Sequence, residues 1–391
     1  MRSHYSYRRN TDEEYRASNL ELFFDLVFVF AITQVSHLLL DHLTWKGALE
    51  STMVLLAVWS AWNYTTWATN ELDPDATPIR LVLMAIMMAC LLMSVAIPEA
   101  FGAQGLLFAA AYVFIQVGRT GFLTFGAAEP GTIERRRALH IFIWFCFSGI
   151  FWIAGALFDG DARILIWLIA LFIDYAGPFV TYRVPGLENV TADSWEVGGT
   201  HLAERFQLFT IIALGETIVL TGATTSGIHL DLAVVAAFSF AFLSTVTLWW
   251  LYFNYVATVF ERLLVEAENK TLAARDLYTY GHIPIIAGII LCAVGDEIVI
   301  AHPTHHLETA ALVAVVAGPV LYLLSFVPAR YLNTGGLPVK RVVGAVCCLV
   351  VGAVAAVAEL PAMAVGGLLV AVLISVVLRE SYNPSRPASI Q

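Results

Sequence analysis

The hydrophobic positions of this chain fall into long runs, and each run ends at a short polar or charged segment. A bilayer core about 30 Å thick needs roughly 20 apolar residues per helix, which is the length of these runs. The period-two alternation of membrane barrels is absent, so the pattern predicts helices. The predicted spans are 19–40, 46–69, 79–97, 105–125, 137–158, 162–182, 200–222, 230–256, 276–300, 306–328, 339–358 and 361–379.

Composition supports an all-α, polytopic transmembrane bundle of about twelve helices. Only 13% of the residues are charged and 59% are hydrophobic, whereas a soluble domain carries about 25% charged residues. The net charge of -10 comes without a basic stripe, so no nucleic acid partner is expected. The expected surroundings are a lipid bilayer, and a homo-oligomer remains open.

The basic residues predict the orientation. With the N-terminus inside, the outer loops hold only Lys46 and Arg163, and the spans hold Arg119 and Arg205. All the others fall in inner segments: Arg2, Arg8, Arg9, Arg16, Arg80, Arg135, Arg136, Arg137, Arg183, Arg262, Lys270, Arg275, Arg330, Lys340, Arg341, Arg379 and Arg386. Such a bias predicts that both termini are cytoplasmic.

The two halves of the chain resemble each other at rare positions. The matched pairs are Glu21 with Glu204, Phe23 with Phe206, Trp59 with Trp250, Asn63 with Asn254, Tyr64 with Tyr255, and Glu99 with Glu297. Six helices per half predict parallel repeats. We therefore expect a tail at 1–18, a first repeat at 19–190, a second repeat at 191–380 and a tail at 381–391.

Ionisable residues inside spans are costly and need a partner or a cavity. Near the inner face lie Glu21, Asp25, Asp174, His201, Glu204, Arg205 and His282, and the outer polar layer holds Gln34, His37, Glu99, Glu216, Asp296 and Glu297. The candidates for a substrate or ion pathway are Glu21, Asp25, Asn63, His201, Glu204, Arg205, Glu216, Asn254 and His282. Asn63 and Asn254 fit either interhelical hydrogen bonding or a cavity wall.

Glu21 and Asp25 share one helix face, four residues apart, and Arg205 is the expected countercharge. Three roles stay open for this set: an ion-pair lock, a proton or cation path, and catalysis. Glu216 lies deep in the seventh span, after Gly215, whose missing side chain would allow close approach of another helix or a solute. We expect Glu216 either to load and release a proton or to serve only as a hydrogen-bonding group.

The sequence contains few patterns typical of catalytic or metal-binding sites. His302, His305 and His306 near Asp296 could bind a divalent metal, but they lack fixed helical spacing, so no metal site is predicted. Phosphate loops, nucleophile elbows and H-E-x-x-H motifs are absent from the sequence. We expect no cofactor, and whether the protein is an enzyme stays open.

Two segments carry a family resemblance: ELFFDLVFVFAITQVSHLL from Glu21 and HLAERFQLFTIIALGETIV from His201. They resemble the two signatures of the bacterial low temperature requirement A (LtrA) family. The resemblance implies a multi-pass protein of the bacterial cytoplasmic membrane. It also implies that Glu21, Asp25, His201, Glu204, Arg205, Gly215 and Glu216 are motif positions. The segment from Phe23 to Phe28 is also similar to the first helix of lysosomal-type potassium channels, with Phe24 where those have Ser.

These patterns favour a transport protein that moves an ion or small solute between two six-helix halves, with a proton or cation as partner. The alternatives are an intramembrane or lipid-modifying enzyme using Glu21, Asp25 and His201, a cation channel, and a stress-response protein that transports nothing.

Overall fold

The computed structural model describes residues 7, 16–195, 197–334 and 336–381, and all regular elements in that range are helical. The α-helices are α1 (Asn19–Asp41), α2 (Trp45–Glu71), α3 (Thr77–Ala96), α4 (Gly105–Phe122), α5 (Ile133–Ala156), α6 (Asp161–Ala176), α7 (Gly199–Ser226), α8 (Leu232–Leu251), α9 (Ala257–Glu266), α10 (Lys270–Ala274), α11 (His282–Ala301), α12 (Thr309–Leu324), α13 (Val327–Thr334), α14 (Val339–Ala358) and α15 (Ala362–Ser381). The predicted tails fall outside the described residues, apart from residues 7, 16–18 and 381.

Shorter turns extend several of these helices. The 3₁₀ turns are Ile97–Glu99, Gly177–Val180 and Ala192–Ser194, and the π-helical turns are Leu123–Ala127, Tyr252–Val256 and Arg275–Tyr280. Because π turns often occur at functional sites, these three turns are candidate elements of such a site.

The predicted helical membrane architecture is confirmed. Within the described residues, eleven helical segments are long and apolar enough to cross a membrane. Large apolar side chains such as Met88, Phe172 and Val357 point outward and are exposed, as expected for helices solvated by lipid. The predicted span that is not among these eleven is 46–69, which corresponds to α2; this helix is long enough but less apolar.

α2 tolerates polar residues because other helices surround it. Its buried side chains include Ser60, Asn63, Thr66 and Asn70, and α1, α4 and α6 pack against it. Protein neighbours can supply the hydrogen bonds that lipid cannot. The polar groups of α2 therefore face the protein interior and can bond to side chains of the surrounding helices.

The described helices group into two compact units. Unit 1 comprises residues up to Ile212 together with Glu261–Tyr280, and unit 2 comprises Ala213–Phe260 and the residues from Gly281 onward. This division by packing differs from the predicted boundaries at 190 and 191, which were based on sequence similarity. The two parallel repeats stay a prediction.

In unit 1, α3, α4, α5 and α6 pack in sequential order, while α1 packs on α2 and α3. Arg163 corrects one sequence-based expectation, because it lies buried in the first turn of α6 and not in an outer loop. Its guanidinium donates to the carbonyl oxygens of Ala100 (2.9 Å), Gly102 (2.7 Å) and Phe158 (2.8 Å). It thereby ties the connection after α3 to the connection before α6.

Unit 2 is built on a close crossing of α11 and α12. A Cβ placed on Gly288 would lie 2.8 Å from the Tyr322 nitrogen, and one on Gly318 would lie 2.6 Å from the Cys292 nitrogen. Small residues let helix backbones touch in this way in membranes. In the same unit α8 packs against α11 and α15, and Arg341 of α14 pairs with Glu380 of α15.

Candidate functional site

Four ionisable side chains of unit 1 meet at the beginnings of α1 and α7. Arg205 Nη1 lies 2.9 Å from Glu21 Oε1, and Arg205 Nη2 donates to Asp25 Oδ1 at 2.6 Å. His201 Nε2 lies 3.1 Å from Glu21 Oε1. We call Glu21, Asp25, His201 and Arg205 the ion cluster. The predicted pairing of Arg205 with the carboxylates of the first span is confirmed.

Local helix chemistry places Glu21. Ser18 is the N-cap of α1, and its backbone N–H and hydroxyl both donate to Glu21 Oε2 at 2.9 Å, completing a capping box. A carboxylate in the first turn also interacts favourably with the positive end of the helix dipole. Glu21 is therefore held by its own helix end on one oxygen and by α7 on the other.

Asn70 of α2 holds the ring of His201 in position. The Gly198 N–H donates to Asn70 Oδ1 at 2.9 Å, and Asn70 Nδ2 donates to the Gly198 oxygen at 3.0 Å, which fixes the orientation of the amide. The same Nδ2 lies 3.0 Å from His201 Nδ1. The ring therefore presents its other nitrogen, Nε2, towards Glu21.

The ion cluster therefore contains two carboxyl groups, one guanidinium and one imidazole. If both carboxyls are ionised and the imidazole is neutral, it carries one more negative charge than positive. Glu21 and Asp25 are 1% exposed and Arg205 is 0% exposed, so an excess charge is costly. Asp25 Oδ2 accepts no hydrogen bond from the described residues, which makes it the position for a neutralising proton.

Aromatic rings keep the cluster dry. Trp62 Nε1 donates to Asp25 Oδ1 at 2.8 Å, and the ring of Trp62 packs 4.8 Å from Phe206 and 4.2 Å from Phe209 between centroids. Trp59 packs beside it at 5.2 Å. Such a shell lowers the local dielectric constant and strengthens every charge interaction inside it.

A second polar network runs through the helices of unit 1. Asp174 Oδ2 accepts from the hydroxyl of Tyr112 at 2.7 Å and from Trp152 Nε1 at 3.0 Å. Gln116 Nε2 donates to the Tyr112 oxygen at 3.0 Å, while Gln116 Oε1 accepts from Arg119 Nη2. We call Tyr112, Gln116, Arg119 and Asp174 the Arg119 network. It joins a buried carboxyl to a buried guanidinium only through neutral groups.

The Arg119 network ends at a cavity of about 290 Å³, which we call the unit 1 cavity. Its wall is formed where α2 and α4 end and α5 begins, and two of the π-helical turns contribute Leu123 and Thr279. Aromatic side chains and charged groups share the lining. The lining residues used below are Tyr64, Trp67, Glu71, Arg119, Glu129, Glu134, Arg137, Tyr182, Trp195, Arg275 and Thr279.

Hydrogen bonds to the rings hold this wall in place. Trp67 Nε1 donates to Thr279 Oγ1 at 3.0 Å, and Thr279 donates in turn to Asn63 Oδ1 at 3.1 Å. The hydroxyls of Tyr64 and Tyr182 share a hydrogen bond of 2.5 Å. Burial is the main cause that raises the pKa of Tyr182, and the neighbouring Tyr64 raises it further. The Tyr182 phenol therefore remains a neutral hydrogen-bonding group.

Comparison with known proteins agrees with this architecture. The family model described as Bacterial low temperature requirement A protein (LtrA) matches residues 16–378, nearly the whole described chain.

The chain belongs to the LtrA family.

An uncharacterized protein of Rhizobium meliloti (strain 1021) is 37% identical over 345 residues, which cover 88% of this chain and 83% of the relative. No solved structure matches the chain. The family match and the eleven apolar helices together fit a multi-pass membrane protein.

Two other predicted inner-layer residues, Glu204 and His282, make hydrogen bonds to residues that are not members of the ion cluster. Glu204 Oε2 accepts from the Ala17 N–H at 2.9 Å, and His282 of unit 2 shares a 2.7 Å hydrogen bond with the Tyr252 hydroxyl. Asn63 is buried, whereas Asn254 is exposed in a π turn. The two asparagines matched by the repeat thus have different surroundings.

The residues of the predicted outer polar layer differ in burial. His37 and Glu99 are exposed, Asp296 and Glu297 are half-buried, and Glu216 is 0% exposed in unit 2. No group of three or more His, Cys, Asp or Glu among the described residues could hold a metal ion. The histidines after α11 therefore give no support to the metal alternative.

Within the described residues, Gly215 has no helix packed against it, whereas the approach of a solute there stays a prediction. A Cβ built on Gly215 would have nothing within 4 Å, so no helix of the described chain approaches the backbone there. The glycine leaves open space beside Glu216 and provides no packing contact.

The sequence patterns did not predict a role for Arg119 or Gln116, nor the unit 1 cavity. A signal was present, because Tyr112, Gln116 and Arg119 are spaced four and three residues apart and so share one face of α4. Arg119 was recognised only as a basic residue within a span. Its lack of a carboxylate partner depends on the side chains of other helices.

Proposed function

We propose that this LtrA family protein transports a small solute or ion across the bacterial cytoplasmic membrane and couples that movement to protons. The observation that carries the proposal is the unit 1 cavity, which lies among helices long enough to span a bilayer. Lipid solvates apolar helix surfaces, so a cavity with polar and charged walls among spans is costly unless it holds a polar ligand. Such cavities are typical of transport sites.

The ion cluster supports the coupling to protons. Two carboxylates face one guanidinium in it, so one added proton would balance its charges, and Asp25 Oδ2 is a position that accepts no hydrogen bond from the described residues. A group that gains and loses a proton inside a membrane protein can drive a change between two states. Glu216, completely buried in unit 2, is a second candidate for this role.

Complete burial of the ion cluster favours a second candidate function, a static lock that holds α1 and α7 together. Catalysis at the cluster has less support, because none of its four residues lines the unit 1 cavity. A lock requires the charges for folding but gives them no part in any pH-dependent step. The two candidates therefore differ in their response to a proton gradient.

The flux test uses protein reconstituted in liposomes loaded with labelled potassium ion, amino acids and small organic acids. We expect at least one solute to leave these liposomes faster than empty liposomes, and an imposed proton gradient to change that rate. Asp25→Asn and Glu216→Gln keep the size of each side chain while removing its titration. We expect at least one of them to retain solute exchange and lose the response to the gradient.

Arg80→Gln is the matched control, because Arg80 and its partner Asp75 are exposed in the same unit as Asp25. It should transport and respond to pH as the wild type does. Wild-type protein that folds but releases every solute at the rate of empty liposomes would contradict transport. Rapid potassium flux that ignores the proton gradient would instead favour the channel alternative.

The proposed orientation places both termini in the cytoplasm, in keeping with the distribution of basic residues. We expect a membrane-impermeant thiol reagent added outside intact cells to label Asp159→Cys but not Glu134→Cys. Native Cys347 is exposed and is first replaced by serine. After the cells are opened, both positions should be labelled. Labelling of Glu134→Cys alone in intact cells would reverse the orientation.

A further inference from the structure

Arg119 differs from the other buried arginines of the described chain. The described residues include five buried arginines: Arg119, Arg137, Arg163, Arg205 and Arg341. Each of the other four has a carboxylate oxygen within 4.0 Å: Glu71 for Arg137, Asp159 for Arg163, Glu21 and Asp25 for Arg205, and Glu380 for Arg341. No carboxylate of the described residues lies that close to Arg119, which is only 3% exposed.

The partners of Arg119 are neutral. Its Nη1 donates to Thr65 Oγ1 at 3.1 Å and to the Ala61 oxygen at 3.5 Å, and its Nη2 donates to Gln116 Oε1. Its charged carbon lies 5.4 Å from the centre of the Tyr64 ring. A guanidinium has five N–H donors and stays charged in proteins, so two donors and the whole charge remain for another group.

The remaining charge faces the unit 1 cavity. The other arginines of the wall are already compensated, because Arg137 pairs with Glu71 and Arg275 pairs with Asp276. Glu129 and Glu134 also line the cavity, near the start of α5, and both have partners. Of the three arginines that the described chain contributes to the wall, Arg119 is therefore the one without a carboxylate within 4.0 Å.

Arg119 is also held in position before any ligand arrives. Gln116 binds it through Oε1, and the Gln116 amide donates to Ser60 Oγ at 2.8 Å and to Tyr112, which is fixed by Asp174. A guanidinium fixed in this way binds planar oxyanions with little loss of entropy. Tyr64, Trp67 and Trp195 supply ring faces and edges for an apolar body next to it.

We propose that the unit 1 cavity binds a small organic anion, with its carboxylate on Arg119 and its apolar body against the aromatic wall. The inference rests on the proposed function in taking this anion as the transported solute. Binding itself needs no transport, so the two are measured separately.

The test is calorimetric titration of the protein in phosphatidylcholine nanodiscs, with benzoate as the probe and benzyl alcohol as its uncharged counterpart. We expect saturable binding of benzoate and much weaker binding of benzyl alcohol. Hydrogen bonds to charged groups are strong enough that Arg119→Gln should weaken benzoate binding by about tenfold or more. Arg119→Lys should keep part of the affinity, and Arg80→Gln should keep all of it.

A thermal unfolding curve separates binding from folding. Because Arg119 has no carboxylate to leave unpaired, we expect Arg119→Gln to unfold within a few degrees of the wild type while benzoate affinity falls. Saturable binding that is equal in wild type and Arg119→Gln, equal binding of benzyl alcohol, or no saturable benzoate binding would each overturn the proposal.

A lipid headgroup could present the same anionic chemistry. Benzoate affinity that stays unchanged when phosphatidylglycerol is added to the nanodiscs supports a free solute as the ligand. Loss of benzoate binding under that condition assigns the site to a headgroup and overturns the solute. Benzoate binding without any solute flux would leave this site standing and contradict the proposed function, and flux without binding would do the reverse.

Discussion

Arg205→Ala is expected to lower the free energy of unfolding by about 3–5 kcal/mol, the usual cost of removing one partner from a buried ion pair. The guanidinium is 0% exposed and contacts both Glu21 and Asp25. Without it, two carboxyls 1% exposed to solvent lose a cationic partner that contacts both of them. The measurement is chemical or thermal unfolding of the purified protein in detergent, followed by tryptophan fluorescence.

Two further variants show whether charge causes this loss. Arg205→Met combined with Glu21→Gln and Asp25→Asn removes every formal charge from the contact and should recover much of the lost stability. Arg80→Ala breaks the exposed pair with Asp75, which should cost only about 0.2–1 kcal/mol. An Arg205→Ala loss as small as that of Arg80→Ala would show that the cluster is not a folding determinant.

Gly318→Ala is expected to destabilise unit 2 by about 1–3 kcal/mol through overpacking. The added Cβ would lie 2.6 Å from the backbone nitrogen of Cys292 and 2.9 Å from the carbonyl carbon of Leu291. Backbone atoms in a packed helix cannot move aside as a flexible side chain can. The crossing of α11 and α12 must therefore open, which also displaces Tyr322 from its 2.7 Å hydrogen bond to the Leu248 oxygen.

Gly222→Ala is the matched control for this effect. Gly222 is also a helical glycine of unit 2, but its added Cβ would have nothing within 4 Å. Alanine is the better helix former by about 1 kcal/mol, so this variant should be as stable as the wild type or more stable. Equal effects of the two substitutions would contradict a close backbone crossing at Gly318.

Proposed transport and proposed anion binding both involve the wall of the unit 1 cavity. Transport requires the wall of the unit 1 cavity to change, and π-helical turns such as Leu123–Ala127 and Arg275–Tyr280 are less regular than the helices they extend. The ion cluster lies on the other side of α2, where Trp62 contacts Asp25 and Asn70 contacts His201. A change of charge at Asp25 would therefore act on the helix that also forms the cavity wall.

The sequence alone determined the class of the protein and the positions of its spans. Lipid cannot hydrogen-bond a backbone, so apolar runs of the right length must be helices, and this holds whatever their neighbours. The sequence also predicted that Arg205 pairs with Glu21 or Asp25. A charge in a span needs an opposite charge nearby, and few were available in this chain.

Tertiary structure decided how each polar group is used. Asn70 orients the His201 ring, and among the described residues Arg119 reaches no carboxylate although Asp174 belongs to the same hydrogen-bonded network. The open space beside Gly215 likewise depends on where other helices lie. Hydropathy records which residues avoid water, but the faces of apolar helices are nearly equivalent in lipid, so side-chain packing alone selects which of them meet.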